Sequence, residues 1–91
     1  MFISVIHRIS DPDAFAATVA NGGSSIPADL KLHQYMAAED RSTAICLWEA
    51  PSVEKVRDLV EPLLARVSKN EYIAIDASGS MGLPTTAPTI A

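Results

Sequence analysis

The chain has 91 residues, of which 48% are hydrophobic, and a formal net charge of −4, which indicates one small folded domain rather than a disordered chain. Its seven basic residues are scattered and form no cluster, which argues against nucleic acid and anionic membranes as partners. The single cysteine excludes an internal disulfide and predicts a reducing, cytoplasmic location.

The beginning of the chain predicts a strand, a helix and a loop. Residues 2–9 are rich in β-branched side chains and are followed by Ser-Asp-Pro, which is typical of a strand that leads into a capped helix. Ser10 or Asp11 is expected to cap this helix, which runs to about residue 20 and stops before two glycines. Residues 22–29 lead into another strand, so we interpret them as a linker rather than a phosphate-binding loop.

The middle of the chain predicts a hairpin and a second helix. Residues 30–37 and 43–49 have the composition of strands and are joined by a polar turn. Ser52 is expected to cap a helix whose apolar residues recur at helical spacing. Because proline removes a backbone hydrogen bond, Pro62 predicts a kink or break one residue earlier, near Glu61, and a second short helix after it.

The last segment predicts a turn at 68–70, a strand at 71–76 and a tail. The order of elements is then β-α-β-β-α-β, the ferredoxin-like unit of the α+β class, with a four-stranded antiparallel sheet and both helices on one face. We expect a single domain over residues 1–77. The tail, residues 78–91, is expected to be flexible or to contact a partner.

Alternation along each strand sorts the side chains of the sheet into two faces. We expect the helices to cover the purely aliphatic sets, which are Ile3, Val5, Leu30, Leu32, Ile45, Leu47, Ile73 and Ile75. The opposite face is mixed and aromatic, with Phe2, Ser4, Ile6, Arg8, Lys31, His33, Tyr35, Ala37, Ala44, Cys46, Trp48, Tyr72, Ala74 and Asp76. A sheet face left in water would be more uniformly polar, so we predict a homodimer that buries this face.

The segment 45–57 contains the run Cys-Leu-Trp-Glu-Ala-Pro-Ser and follows a first strand that carries His7. In these features, and over residues 43–76, the chain resembles small actinobacterial ferredoxin-like proteins of the dimeric α/β-barrel superfamily. That group includes nickel-binding proteins and uncharacterised homologues of the domain-of-unknown-function kind. The resemblance implies two sheets packed face to face, and a cavity either between sheet and helices or between subunits. It also implies binding of a transition metal such as nickel.

The candidate site residues come from the mixed face. If this face holds a ligand pocket rather than interface packing, we expect the pocket to centre on His33, together with Tyr35, Cys46, Trp48, Tyr72, Asp76 and Arg8. The candidate metal ligands are His7 and His33, which parity places on opposite faces unless a bulge rotates one of them. For Cys46 we favour an inert buried thiol, because a nucleophile would need a base and His33 is the expected neighbour.

Three functions follow from this pattern. The first is a small homodimeric protein that binds a metal ion or a small organic ligand. The second is a cofactor-independent dimeric-barrel enzyme, a monooxygenase or isomerase acting on a hydrophobic molecule, with His33 as general base. The third is a structural or regulatory partner that has no ligand.

Overall fold

The structure is a computed structural model that describes residues 1–22 and 26–84. Within these ranges it confirms the predicted order of elements: β1 (Phe2–Ile9), α1 (Pro12–Gly22), β2 (Lys31–Ala37), β3 (Thr43–Glu49), α2 (Val53–Leu64) and β4 (Ser68–Ala74), followed by a 3₁₀ turn (Ala77–Gly79). The predicted loop and tail fall partly on residues outside these ranges. No helix among the described residues is long and apolar enough to cross a lipid bilayer.

The four strands form one antiparallel sheet with the spatial order β2-β3-β1-β4, as is typical of the ferredoxin-like unit. β1 is central, and its Val5 is paired with Cys46 of β3 and with Tyr72 of β4. Directly paired residues of antiparallel strands project to the same face. The register therefore places these three side chains on one side of the sheet.

Both helices pack on the face that carries Ile3 and Val5, which are fully buried. α1 contributes Phe15 to this core, and α2 contributes one residue per turn: Val56, Val60 and Leu64. Both predicted caps are present. The Asp11 carboxylate accepts a hydrogen bond from the Ala14 N–H at 3.1 Å, and the Ser52 hydroxyl accepts one from the Lys55 N–H at 3.3 Å.

The predicted faces are correct for β1 but wrong for β3 and β4. Cys46 and Trp48 face the helices and are buried, whereas Ile45 lies on the opposite face and is 40% exposed. On β4 the same exchange places Tyr72 toward the core and leaves Ile73 exposed. The reason is the register with β1: once Val5 faces the helices, its paired residues must do the same.

β2 contains a bulge at His33, where the register with β3 shifts between Leu32 and Gln34. Because the bulge adds one residue, Leu32 and Tyr35 both pair with helix-facing residues of β3 although they are three positions apart. The prediction that Tyr35 shares the face of His33 is therefore wrong.

Two predictions about the C-terminal half also need correction. α2 continues through Pro62 to Leu64, without a break near Glu61, and residues 65–67 form a turn rather than a second helix. Pro62 stands in the last turn of α2, where it removes only one hydrogen bond, and the Ala65 N–H still bonds the Glu61 carbonyl at 3.0 Å. β4 starts at Ser68, three residues before the predicted strand.

Candidate functional site

A cavity of about 90 Å³ lies between the sheet and the two helices. The sheet side is formed by Leu32, Tyr35, Cys46 and Trp48, and the helices contribute mainly aliphatic side chains, among them Leu59 and Leu63. Apolar cavities of roughly 150 Å³ are known to stay dry and to bind benzene. A wider depression of about 310 Å³ lies at the start of β2 and is open to solvent and mostly polar. The smaller cavity is also partly open to solvent, since Tyr35 and Leu63 on its wall are 40% and 44% exposed, but its lining is almost entirely apolar, so it suits an apolar molecule better.

One buried hydrogen-bond donor of a cavity-lining residue has no acceptor among the described residues. Trp48 is 5% exposed and lines the cavity, and its indole Nε1–H has no partner among the described residues. Buried polar groups are nearly always paired, because an unmade hydrogen bond costs about 1–3 kcal/mol. Because the Nε1 atom itself has almost no accessible surface, an acceptor on a ligand would reach it only after a small shift of the surrounding side chains.

A chain of buried polar side chains starts at the same wall. The Sγ of Cys46 lies 3.3 Å from Nε2 of His7, and Nδ1 of His7 lies 2.6 Å from Oδ1 of Asn70. His7 is 1% exposed, and its ring packs against that of Phe15 with the centroids 5.3 Å apart. Three strands supply these groups, because the register places His7 beside Asn70 and diagonally across from Cys46.

Asn70 also determines which nitrogen of His7 carries the proton. Its Nδ2 amide donates to the carboxylate of Glu61 at 2.9 Å, so its Oδ1 faces His7 and can only accept. Nδ1 of a neutral His7 must therefore carry the proton, and Nε2 keeps the lone pair. The free lone pair of His7 points at the Cys46 thiol.

The outer end of the chain is an acidic group on α2. Glu61 accepts hydrogen bonds from both Asn70 and the Tyr72 hydroxyl. The Arg57 guanidinium lies over the Tyr72 ring, 5.2 Å from its centroid. Burial and the neighbouring Glu61 carboxylate raise the pKa of Tyr72, so the phenol stays protonated and donates. Each side chain from Cys46 through His7 and Asn70 to Glu61 thus forms a hydrogen bond with the next one.

Burial keeps the Cys46 thiol and the His7 imidazole neutral. It raises the pKa of the Cys46 thiol to about 12. It also lowers the pKa of His7 below the ordinary 6.5, against smaller raising contributions from Asn70 and Glu61. At neutral pH the pair is therefore a thiol hydrogen-bonded to a neutral imidazole, not a thiolate–imidazolium ion pair.

The lowered pKa of His7 predicts that the protein loses stability in mild acid. As the pH drops below 6.5, the unfolded chain binds a proton at this imidazole before the folded chain does. The free energy of unfolding therefore decreases as the pH is lowered from 6.5 to the pKa of His7 in the folded protein. Urea denaturation between pH 7.5 and 5 should show this fall. His7→Phe should flatten the curve in that interval, and an equally steep curve in this variant would contradict the assignment.

The structure brings some of the predicted site residues together and separates others. Tyr35, Cys46 and Trp48 line the cavity, and Tyr72 lies on the same face but bonds Glu61. His33 does not line the cavity; its Nε2 lies 2.9 Å from the Glu49 carboxylate, and its ring lies 5.7 Å from that of Phe2. The expectation that His33 would centre this group is therefore wrong. Whether any of these residues binds a ligand stays a prediction.

The other two predicted residues also lie away from the cavity. Arg8 is exposed and forms an ion pair with Glu71 at 3.5 Å. Asp76 lies beyond β4, where its carboxylate accepts hydrogen bonds from the N–H and hydroxyl of Ser78 and caps the 3₁₀ turn. Both therefore have local structural partners.

Sequence reasoning missed two members of the polar chain, Asn70 and Glu61. Asn70 was assigned to a turn because three polar residues follow Val67. Continuing the alternation of β4 backwards from Tyr72 would have placed Asn70 and Ser68 on the same face as Tyr72. Glu61 gives a weaker signal, since it lies between the apolar residues Val60 and Leu64 of α2.

The residues do not fit the transition metal that the resemblance implies. The two candidate ligands His7 and His33 lie on opposite faces of the sheet, and both nitrogens of His7 already have protein partners. Among the described residues, no group of three histidine, cysteine or acidic side chains could hold a metal ion. A nickel site would need three or more convergent ligands.

The sequence matches no protein-family model and no curated protein. Among solved structures, its fold is similar to that of SCO4226 from Streptomyces coelicolor A3(2), with a TM-score of 0.52 and 20% sequence identity. The match covers 85% of this chain and 100% of that chain. At this identity the likeness concerns the fold alone, an α+β domain with a four-stranded antiparallel sheet.

Proposed function

We propose that the protein is a homodimer whose chains each bind a small, largely apolar organic molecule in the cavity between sheet and helices. The observation that carries this proposal is the apolar cavity whose lining includes Trp48, a residue with an unpaired, buried Nε1–H. Ligand sites are typically apolar with few polar groups that fix orientation. The expected ligand is a small, largely apolar molecule that carries a hydrogen-bond acceptor, such as a carbonyl oxygen.

A variant that fills the cavity tests ligand binding. Thr18 lines the cavity, and its hydroxyl bonds only the Ala14 carbonyl of its own helix, at 2.8 Å. Thr18→Leu should therefore occupy the space and weaken binding of cyclohexanone by about tenfold or more, since about 1.4 kcal/mol corresponds to a factor of ten. Trp48 is the only tryptophan, so its fluorescence reports binding directly.

The matched control is Ala17→Leu, which introduces the same side chain at an exposed neighbouring position of α1. Its affinity for cyclohexanone should equal that of the unmodified protein. If neither the unmodified protein nor the control binds cyclohexanone, the ligand-free structural role becomes the better account.

The homodimer is proposed from the face of the sheet that the helices leave open. That face carries an apolar set that differs from the predicted one: Phe2, Ile6, Met36, Ile45, Leu47 and Ile73. Three of these side chains are strongly exposed, with 52% for Met36, 40% for Ile45 and 37% for Ile73. Apolar sheet faces in small domains are usually covered. A second copy would cover this face by packing sheet against sheet, as the resemblance implies.

A charge at the centre of this face should separate the subunits. Ile45 is exposed and belongs to a strand flanked on both sides, so Ile45→Lys should weaken association by about 2 kcal/mol or more if it is a central contact. Sedimentation velocity at micromolar concentration measures the shift from dimer to monomer. Ala17→Lys, on the exposed side of α1, is the control and should stay dimeric. A monomeric unmodified protein would contradict the proposal.

The enzymatic alternative loses its expected base. Because His33 lies with Phe2 and Glu49 rather than with Tyr35 and Trp48, it cannot remove a proton from a molecule held in the cavity of its own chain. Trp48→Ala would not test the dimer, because the side chain of Trp48 faces the helices and not the open face of the sheet. Trp48 belongs to the core, so its loss should affect folding and ligand binding instead.

A further inference from the structure

We propose that the outer edge of β4 pairs with β4 of a second copy of the chain, antiparallel and in a register centred on Asn70, so that two sheets join edge to edge. This contact uses the backbone of an edge strand, whereas the sheet-on-sheet dimer proposed above uses the side chains of the open face. It therefore goes beyond that proposal and does not depend on it.

The edge formed by β4 is regular and open. β4 is the outermost strand on one side of the sheet, and no described residue outside β1 bonds to its backbone between Ser68 and Ala74. Its register with β1 runs over these residues without a shift. The opposite edge strand, β2, is interrupted by the bulge at His33. Because a bulge is one of the devices that protect an edge from pairing, β4 is the edge better suited to adding a strand.

The pairing with β1 determines which backbone groups of β4 point outward. Successive residues of an antiparallel strand direct their N–H and C=O alternately to one side and the other. The Ile75 N–H bonds the Phe2 carbonyl at 2.9 Å, and the Ser10 N–H bonds the Val67 carbonyl at 2.8 Å, so the odd-numbered residues of β4 bond β1. The outward N–H and C=O groups therefore belong to the even-numbered residues: Ser68, Asn70, Tyr72 and Ala74.

Side-chain hydrogen bonds hold these outward-bonding residues in place. The Ser68 hydroxyl donates to Oδ1 of Asn70 at 2.7 Å. Asn70 and Tyr72 both donate to the Glu61 carboxylate of α2. All three side chains thus lie on the helix face and leave the backbone of their residues free. Because the strand is already ordered by α2, pairing with another strand costs less conformational entropy.

Two exposed charges of opposite sign select the register. Lys69 and Glu71 lie on either side of Asn70 and share the open face of the sheet. Antiparallel pairing centred on Asn70 places Lys69 of each copy opposite Glu71 of the other. The neighbouring registers that keep the same backbone groups paired are centred on Lys69 or on Glu71, and each of these places like charges opposite one another. The sequence of β4 is therefore complementary to itself in one register.

The backbone geometry places these charges where they act most strongly. In this register the residues from Ser68 to Tyr72 overlap, and the outward groups form about six hydrogen bonds between the copies. Lys69 and Glu71 then form non-hydrogen-bonded pairs, whose Cα atoms are only about 4.5 Å apart. Unlike charges stabilise such a pair and like charges destabilise it. The ion pair of Glu71 with Arg8 within one chain is exposed and 3.5 Å long, so it competes only weakly.

Charge reversal tests the edge contact in a chain that also carries Ile45→Lys, which removes the sheet-on-sheet dimer. Sedimentation equilibrium at submillimolar concentration should show self-association of this chain. Adding Lys69→Glu or Glu71→Lys places like charges in both pairs and should weaken self-association by about tenfold or more. An equimolar mixture of these two variants brings unlike charges together again. It should regain the original affinity, and native mass spectrometry should find the mixed dimer.

Lys31→Glu is the matched control, because it makes the same change on the other edge strand and should leave the association unchanged. Amide hydrogen exchange gives a second readout. The amides of Asn70 and Tyr72 should become protected as concentration rises, whereas that of Glu71, which bonds β1, should be protected throughout. If the single variants associate as strongly as the parent, or if the parent stays monomeric and neither amide gains protection, the edge contact is refuted. Either result leaves the sheet-on-sheet dimer to its own test, since Ile45 lies away from this edge.

Discussion

Replacing Phe15 with alanine should lower the free energy of unfolding by roughly 3–5 kcal/mol, among the largest effects expected for a single residue of the described core. Phe15 is 2% exposed and is the main core contact of α1. Its ring also covers the imidazole of His7. Its removal therefore leaves a void in the core and admits water to the polar chain. Urea denaturation monitored by Trp48 fluorescence measures the change.

The control for Phe15 is its replacement with leucine, which keeps an apolar side chain against His7. This variant should cost less than half as much as the alanine variant. If Phe15→Ala and Phe15→Leu destabilised the protein equally, the ring would not be filling the space above His7.

Replacing Asn70 with leucine should cost about 2–4 kcal/mol, because it removes the hub of the buried polar chain. Asn70 accepts hydrogen bonds from His7 and from Ser68, the latter at 2.7 Å, and donates to Glu61. A leucine would leave these partners buried without the group they bond. Chemical denaturation at pH 7.5, where His7 is neutral in both states, measures this cost without a contribution from titration.

Asn21→Leu is the matched control, because it makes the same substitution at an exposed position near the end of α1. It should change the free energy of unfolding by no more than about 0.5 kcal/mol. A cost at Asn70 as small as the cost at Asn21 would show that the hydrogen bonds of Asn70 contribute nothing to stability.

The element order could be predicted from the sequence because it depends on local patterns. β1 and β3 have the predicted bounds, since each is a run of strand-forming residues between clear turn signals. β4 was predicted at 71–76, which starts three residues late and ends two residues late. Ser68 and Asn70 have the composition of a turn, and only their partners on β1 and α2 make a buried strand position acceptable for them.

The faces of the sheet could not be read from composition alone. The prediction that the purely aliphatic side chains of each strand face the helices is correct for β1. It is wrong for β3, where Ile45 is exposed and Cys46 is buried. Which of the two alternating sets of side chains in a strand faces the helices depends on the register between strands. That register is set by pairs of residues that are far apart in sequence. The bulge at His33 adds a second irregularity that no local signal announces, and it moves Tyr35 into the cavity wall.

The candidate site was accordingly predicted in part. Cys46 and Trp48 were grouped because alternation along β3 is a short-range property, whereas Tyr35 lines the cavity with them only because of the bulge at His33. His33 was the expected neighbour of Cys46, whereas the structure places His7 there. His7 meets Cys46 only because β1 inserts between β3 and β4 in the sheet, an arrangement that follows from the fold rather than from spacing along the chain.

The indole N–H of Trp48 gives the most direct test of the proposed ligand site. It can be followed as a single ¹H–¹⁵N cross-peak while cyclohexanone is added, since the chain contains one tryptophan. A saturable downfield shift, absent with cyclohexene and abolished by Thr18→Leu, is the expected result, because only the ketone supplies an acceptor to this donor. A cross-peak that does not move with cyclohexanone, or that moves equally with cyclohexene, would contradict the assignment of this cavity as a site for an acceptor-bearing ligand.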